Sequence, residues 1–193
     1  MRRRTFDALM TVAGLVLAAI LVVAAGLLFW AHAFVANQVS TQLSAQQIYF
    51  PAKGSDAISD PAIKPYLSKY AGQKLTTGPQ AKAWADHYIA VHIKEMSQGQ
   101  TYAQLSAKSM ANPKDTKTAD LVNTVFKGET LRGLLLNAYA FGEMATIALW
   151  GAIASTIGAV LLLLLSVLGL LHLRRVPAEA EVRLGQRVHP ATG

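Results

Sequence analysis

Residues 144–171 read MATIALWGAIASTIGAVLLLLLSVLGLL, an apolar run without a charged side chain. A second such run, at residues 8–31, reads ALMTVAGLVLAAILVVAAGLLFWA. A bilayer core about 30 Å thick is crossed by roughly 20 apolar helical residues. Both runs exceed that length, so each is long enough to cross a membrane with some tilt. We therefore predict an all-α membrane protein with transmembrane helices at residues 8–33 and 143–173.

The composition of the 193 residues favours the same fold class. Hydrophobic residues make up 52% of the chain and charged residues only 15%. The mean hydropathy of +0.31 is high for a soluble domain. Because the apolar excess is concentrated in two runs, a single soluble globular domain is excluded. The chain has no cysteine, which excludes disulfides, thiolate metal ligands and a cysteine nucleophile.

The formal net charge is +7, and arginines cluster beside the apolar runs. Basic flanks of transmembrane helices stay in the cytoplasm, so we predict a multi-pass plasma-membrane protein with both termini cytoplasmic. A nucleic-acid-binding protein would instead carry its basic residues as a stripe on one face, so nucleic acid is not an expected partner. The topology-determining residues are Arg2, Arg3, Arg4, Arg174 and Arg175.

Trp30 and Trp150 fall near the predicted outer ends of the two spans. Indole rings favour the membrane–water interface, so we expect both residues to act as interface anchors. Residues 36–142 then lie on the extracytoplasmic side, and their many lysines do not contradict this, because long loops cross the membrane largely regardless of charge. Residues 1–7 form the cytoplasmic N-terminus, and residues 174–193 form a cytoplasmic tail that we expect to be disordered.

A cleaved signal peptide is the competing interpretation of the first run. Arg2–Arg4 would form its basic region, and Ala31-His32-Ala33 has the small-x-small form of a cleavage site. Arg3-Arg4 also comes close to a twin-arginine pattern. The apolar region of a signal peptide is normally about 7–15 residues long. The run at residues 8–31 is much longer, so we favour a retained transmembrane helix.

Neither run contains Asp, Glu, Lys or Arg, which argues against a transport path through one chain. Small residues line one face of each run, namely Gly14 and Ala18 in the first and Gly151, Ser155 and Gly158 in the second. Such residues permit close helix approach. The contact is either between the two spans, which we favour, or between two copies of the chain.

Between the runs, the sequence predicts helices and no convincing β-strand. The helix-starting patterns are Asp60-Pro61, Thr77-Gly78-Pro79 and the capping-box sequence Thr101-Tyr102-Ala103-Gln104. The helix-ending patterns are Gly72, Asn112-Pro113 and Gly128. Asn112-Pro113 also opens the next predicted helix, which Gly128 ends. The strongest predicted helix, AKAWADHYIAVHIKEM, runs to about Met96. The last helix is predicted to begin near Glu129 and to continue into the second span.

Two apolar stripes flank the predicted spans on the outer side. One consists of Val35, Val39 and Leu43, and the other of Leu131, Leu134, Leu135 and Ala138. Their matching position and polarity predict that residues 34–47 and 129–142 pair as an antiparallel stalk. Residues 48–128 would form a small helical cap on that stalk. Stalk and cap together make residues 34–142 an extracytoplasmic helical domain.

The segment WADHYIAVHIKE, residues 84–95, is where the sequence places residues that could carry chemistry. On a helix His87 and His92 lie about 140° apart around the axis, whereas a zinc motif places its two histidines four residues apart on one face. His92 and Glu95 are three residues apart and can touch. We favour a structural pair over a ligand-binding role, and both over a metal site, for which His87, His92 and Glu95 are weak candidates. No catalytic residue, cofactor or metal is assigned.

Other side chains are expected to be structural. Aromatic residues at helical spacing should form the small core of the cap rather than a ligand cage; they are Tyr66, Tyr70, Trp84, Tyr88, Tyr102 and Phe126. Arg132 and Glu143 flank the last outer helix, where such charges usually meet head groups or water. Arg132 could also anchor a partner.

Three segments of the chain read AQQIYFPAKGSDAI, TTGPQAKAWADHYIAVHIKEMSQGQTYAQLSA and FKGETLRGLLLNAYAFGEMATIALWGA. Together they resemble an actinobacterial family of small two-span membrane proteins, often labelled aromatic ring-opening dioxygenase LigA. The resemblance covers about residues 25–155 and implies the two-span topology. An extradiol dioxygenase needs a ferrous site, commonly of two histidines and a carboxylate. Only His87, His92 and a nearby carboxylate could supply one here, and their spacing is wrong, so no catalytic residue is carried over.

The predicted function is that of a non-enzymatic integral membrane protein of the cell envelope with a structural, accessory or partner-binding role. Its expected partners are the lipid bilayer and either another membrane or envelope protein or a second copy of the chain. The alternative is an extracytoplasmic ligand sensor, in which binding between cap helices shifts the stalk. A metal-dependent, dioxygenase-like enzyme is the least favoured hypothesis because of the histidine spacing.

Overall fold

A computed structural model of the chain describes residues 3–175, with side chains from residue 5 onward. The described residues contain helices and loops but no β-strand, apart from a single antiparallel bridge between Tyr49 and Lys74. The α-helices are α1 (Arg3–Ala45), α2 (Lys64–Leu67), α3 (Gly78–Trp84), α4 (Ala90–Met96), α5 (Tyr102–Ala111) and α6 (Thr116–Leu173). A turn of π-helix (Ala85–Ile89) joins α3 to α4, and 3-10 turns lie at Asp56–Ile58 and Ser68–Tyr70.

The predicted all-α class is confirmed for these residues. Helices α1 and α6 are each long and apolar enough to cross a membrane. Arg2 and the tail residues 176–193 lie outside the described residues, as do the side chains of Arg3 and Arg4.

The chain divides into two compact units. Of the described residues, 3–30 and 148–175 belong to the terminal unit and 31–147 to the central unit. In the most apolar 18-residue stretch of α1, only 11% of the stretch is buried, and the corresponding stretch of α6 is buried to the same extent. Large aliphatic side chains such as Val23 and Leu165 are more than half exposed. The terminal unit therefore presents hydrocarbon to its surroundings.

In the terminal unit, α1 and α6 pack on each other through small residues. The buried positions recur every seven residues, at Thr11, Ala18 and Ala25 on α1 and at Ala152, Ala159 and Ser166 on α6. A seven-residue repeat keeps one seam of a helix facing its neighbour. A Cβ placed on Gly14 would lie 2.6 Å from Ser166 Oγ, and one on Gly158 would lie 3.0 Å from Leu21 Cδ1. The favoured packing of one apolar run on the other is thus found at Gly14, Ala18 and Gly158.

The core of the central unit is mainly aliphatic. Leu67, Leu75 and Val125 are fully buried in one hydrophobic cluster. The expectation of an aromatic core is correct for Tyr70, Trp84 and Tyr88, which pack against this cluster.

The expectation is wrong for three other aromatic residues. Tyr66, Tyr102 and Phe126 are 47%, 42% and 52% exposed. Neighbouring positions of a helix face different directions. Leu67, directly after Tyr66, faces inward in its place, and Val125, directly before Phe126, does the same.

Helix α6 is continuous from Thr116, where the sequence predicted two helices, one opened by Asn112-Pro113 and ended by Gly128 and a second that begins near Glu129. Asp115 precedes its first turn and accepts hydrogen bonds from the Thr118 backbone N–H at 3.1 Å and the Thr118 hydroxyl at 2.6 Å. Gly128 was predicted to end a helix but lies inside α6. A Cβ there would lie 2.7 Å from Ile93 Cδ1, so this glycine allows α4 to approach α6.

The C-terminal part of α1 contacts α6 within the central unit. Val39 and Leu43 belong to the same hydrophobic cluster as Leu135. The His32 Nδ1 atom lies 2.8 Å from the Ala145 carbonyl oxygen; because a carbonyl only accepts, Nδ1 is the donor.

Candidate functional site

Helix α3, which leads into the candidate segment, begins at a capping box. Thr77 Oγ1 accepts a hydrogen bond from the Gln80 N–H, and Gln80 Oε1 accepts one from the Thr77 N–H at 3.1 Å. A Cβ on Gly78 would lie 3.3 Å from the Cα atom of Tyr139. The absence of a side chain at Gly78 therefore lets the start of α3 approach the α6 backbone closely.

A π-helical turn follows α3 and carries Asp86, His87 and Tyr88. It is defined by the Ala90 N–H, which donates to the Ala85 carbonyl five residues earlier. Single π turns inside helices are frequently found at functional sites. The extra residue in this turn changes which way the following side chains face, and the sequence pattern did not predict it.

Asp86 forms ion pairs with two cations. Its Oδ2 lies 3.1 Å from Lys82 Nζ, and its Oδ1 lies 3.2 Å from Arg132 Nη2. Burial raises the pKa of Asp86, but the hydrogen bonds from Lys82 and Arg132 outweigh it and hold the pKa below its ordinary value of 3.8. A general base works best with a pKa near the operating pH, so Asp86 is a poor base and a good structural anion.

Arg132 connects α6 to the π turn, a role that the sequence did not indicate. Besides Asp86 it pairs with Glu129, with Nη1 3.3 Å from Oε2. Its side chain is 33% exposed, and Nε is buried without a hydrogen-bond partner in the described part of the chain. Since Arg132 and Asp86 are 46 residues apart, no local pattern could have revealed the pair.

His87 stacks on Tyr66 with ring centroids 3.4 Å apart and planes 3° from parallel. Burial lowers the pKa of His87 below its ordinary value of 6.5, more than the nearby Asp86 carboxylate raises it. The ring is therefore neutral at neutral pH, and one of its faces is covered by Tyr66.

His92 forms its hydrogen bond with the backbone instead of with Glu95. Nδ1 lies 2.7 Å from the Tyr88 carbonyl oxygen, so Nδ1 carries a proton. The expected His92–Glu95 pair is not formed, and Glu95 is exposed. The carbonyl lies one helical turn before His92 on the same side of the helix, so the ring reaches it directly.

The rings around His92 form a continuous row. Trp84 stacks on Tyr88 at 4.2 Å, and Tyr88 lies 4.4 Å from His92. Phe50 approaches the edge of Trp84 at 5.1 Å and lies 5.2 Å from Tyr70. This row joins the loop after α1 to the helices of the candidate segment.

The structure does not bring the three weak metal candidates together. His87 stacks on Tyr66, His92 bonds to the Tyr88 carbonyl, and Glu95 is exposed. Among residues 3–175, no three His, Asp or Glu side chains are placed to hold a metal ion. The arrangement of the candidate segment supports packing and ion pairing between helices.

The terminal unit contains a polar pair that the sequence pattern did not predict. His172 Nε2 lies 3.9 Å from Asp7 Oδ2, and Thr11 Oγ1 donates to the Asp7 carbonyl at 2.8 Å. Asp7 directly precedes the uncharged run at residues 8–31, and His172 directly follows the uncharged run at residues 144–171. Their proximity therefore follows from the antiparallel packing of α1 and α6.

The predicted interface anchors and the described topology residues lie at the surface. Trp30 is 66% exposed and Trp150 is 65% exposed. Arg174 and Arg175 are exposed in the turn that follows α6.

Comparisons with protein-family models, with curated protein sequences and with solved structures found no match to this chain.

Proposed function

We propose that this chain is a non-enzymatic integral membrane protein of the cell envelope, with a structural or accessory role exerted through protein partners. Helices α1 and α6 cross the plasma membrane at residues 8–33 and 143–173, with both termini in the cytoplasm. Residues 34–142 form the extracytoplasmic domain, in which residues 34–47 and 129–142 pair as a stalk under a cap of residues 48–128.

The apolar surface of the terminal unit carries the proposal. Soluble monomers rarely expose contiguous apolar patches larger than a few hundred Å². Here both helices expose large aliphatic side chains on several faces, for example Leu17, Leu27 and Leu161. Hydrocarbon is the solvent that such a surface requires, and all backbone groups of a helix are satisfied internally in lipid.

The contacts of the candidate segment favour a non-catalytic role. Asp86 is engaged by Lys82 and Arg132, and its lowered pKa makes it a poor proton acceptor. His92 Nδ1–H donates a hydrogen bond to the Tyr88 backbone carbonyl. These side chains serve the packing of α3, the π turn and α6, and leave no converging set of groups that a reacting substrate would need.

The same contacts weigh against the ligand-sensor alternative. The rings that motivated it, above all Trp84 and Tyr88, stack on each other and on His92. Aromatic faces used within the chain are not open to a ligand, so partner binding is the better-supported role.

Two measurements test the proposal. Full-length protein should stay in the membrane pellet after alkaline carbonate washing and be released only by detergent, whereas a peripheral protein would be washed off. Crosslinking in native membranes should then capture the chain with a stoichiometric protein partner or a second copy. A chain recovered only as an uncrosslinked species at every extracytoplasmic crosslinking position would contradict the accessory role.

A further inference from the structure

An uncharged groove runs along the central unit between α1 and α6. Its volume is about 440 Å³. The floor includes Val35, Val39 and Leu135, and one rim carries Leu134 and Phe141, which are 61% and 54% exposed. Exposed apolar side chains of this size along a groove are typical of a surface that packs against another helix.

The polar side chains that line the groove are all uncharged amides. None of the described residues that line it is charged, although lysines are frequent elsewhere in the central unit. Its polar lining consists of the amides Gln38, Gln42, Gln46 and Asn137. Each amide carries both a donor and an acceptor group, so an amide is complementary to another amide.

We propose that this groove is the interface of a homodimer, in which the α1–α6 groove of one copy packs against the same groove of a second copy. The inference rests on the proposed membrane topology. Two copies with the same orientation in one membrane are related by a two-fold axis along the membrane normal, so each residue near the axis faces the same level of its partner. A charged residue there would meet its own charge, whereas amides pair with amides and leucines with leucines.

A lipid acyl chain is the competing occupant, and the amides disfavour it. An acyl chain over the groove would remove water from Gln38 and Gln42 without offering them hydrogen bonds, which costs free energy for each unsatisfied group. A second copy provides the missing partners.

Single cysteines test the interface directly, because the chain has none of its own. Gln42→Cys and Leu134→Cys lie on the groove. Ser40→Cys and Ala140→Cys lie on the same helices and are also exposed, but they are not part of the groove lining. In native membranes treated with a mild oxidant or a short bismaleimide, the groove variants should form crosslinked dimers and the two controls should remain monomeric.

A charge exchange gives a second test that does not depend on disulfide geometry. Gln42→Lys and Gln42→Glu, each expressed alone, place like charges at one level and should lower the dimer fraction about tenfold. Co-expression of the two variants pairs opposite charges and should restore the dimer. Because Gln42 is exposed in the single chain, neither substitution should affect folding.

The outcomes separate this proposal from the topology on which it rests. In one outcome, the groove cysteines react with an impermeant maleimide on intact cells but crosslink no more than Ser40→Cys. That result would contradict the homodimer and would be consistent with the proposed topology. Cysteines that react only after cell lysis would overturn the topology. Native mass spectrometry of the detergent-released protein tests the lipid alternative. A monomer with one bound lipid, which is no longer bound in Leu134→Glu, would show that the occupant of the groove is an acyl chain and not a second copy.

Discussion

Gly128 and Gly133 offer a matched test of how α6 packs in the central unit. Both lie inside α6, so replacing either by alanine gains the same helix-forming tendency, about 0.5–1 kcal/mol. Their surroundings differ. A Cβ on Gly133 has no atom within 4 Å, whereas a Cβ on Gly128 would lie 2.7 Å from Ile93 Cδ1 and 3.0 Å from Ile93 Cγ1.

The structure sets the expected sizes. Gly133→Ala should stabilise the protein by about 0.5–1 kcal/mol. At Gly128, the added methyl must displace Ile93, which is only 6% exposed, and overpacking of this kind costs about 1–3 kcal/mol. The free energies of unfolding of the two variants should therefore differ by about 1–3 kcal/mol, with Gly128→Ala the less stable.

Urea unfolding of the full-length protein in lipid nanodiscs, followed by tryptophan fluorescence and near-UV circular dichroism, measures this difference. Ile93→Val provides the control, because it removes the Cδ1 atom that the new methyl would meet. Alone, Ile93→Val should cost about 0.5–1.5 kcal/mol; combined with Gly128→Ala, it should cost less. Equal stabilisation by Gly128→Ala and Gly133→Ala would refute the packing of α4 on α6.

Further predictions concern the ion pairs, the histidine and the helix seam. In urea unfolding at pH 7, Asp86→Asn should lower the free energy of unfolding by about 1–3 kcal/mol. Lys82→Ala removes the more exposed partner of Asp86, so it should lower the free energy of unfolding by less than about 1 kcal/mol. Because the folded pKa of Asp86 is lowered, its ion pairs stabilise the protein above about pH 4 and this contribution is lost as pH falls further; a wild-type acid-unfolding curve that matches Asp86→Asn would contradict this. The folded pKa of His87 is also lowered, so as pH falls the unfolded chain takes up this proton before the folded protein does. Stability should therefore decrease as pH drops below about 6.5. His87→Phe keeps a ring over Tyr66 and cannot be protonated, so it should flatten this part of the stability–pH profile. Ala152→Leu at the fully buried seam should weaken α1–α6 packing by about 1–3 kcal/mol, whereas Ala154→Leu, at an exposed position of the same helix, should have little effect in steric-trap unfolding of the helix pair.

Features that depend on a few neighbouring residues were predictable from the sequence. The capping boxes at Thr77 and Thr101 form as the sequence indicates, each with a glutamine three residues later. Gly72 ends its helix with a positive φ of 73°, a conformation that glycine adopts without strain. The two long apolar helices follow from composition and length alone.

Features that depend on distant residues could not be predicted. Gly128 has the local character of a helix end, but the structure uses it for contact with Ile93, whose position only the fold determines. The pairing of Asp86 with Arg132 likewise joins two helices far apart in sequence.

The candidate site was predictable only in part. The sequence places histidines, carboxylates and aromatic residues together in one segment, residues 84–95. The π turn at Ala85–Ile89 was not predicted. The expected His92–Glu95 contact is not formed, because His92 Nδ1 instead donates a hydrogen bond to the Tyr88 carbonyl one helical turn earlier. Hydrogen-bond register within a helix is set by packing, which composition and spacing do not encode.

Cysteine accessibility in intact cells tests the membrane topology most directly, since every introduced cysteine is the only one in its chain. Lys53→Cys reports on the central unit, where this position is exposed, and Ala191→Cys reports on the tail. A membrane-impermeant maleimide should label Lys53→Cys on sealed cells and should label Ala191→Cys only after permeabilisation. Labelling of the tail cysteine on sealed cells, with the central cysteine protected until the membrane is opened, would contradict the proposed orientation.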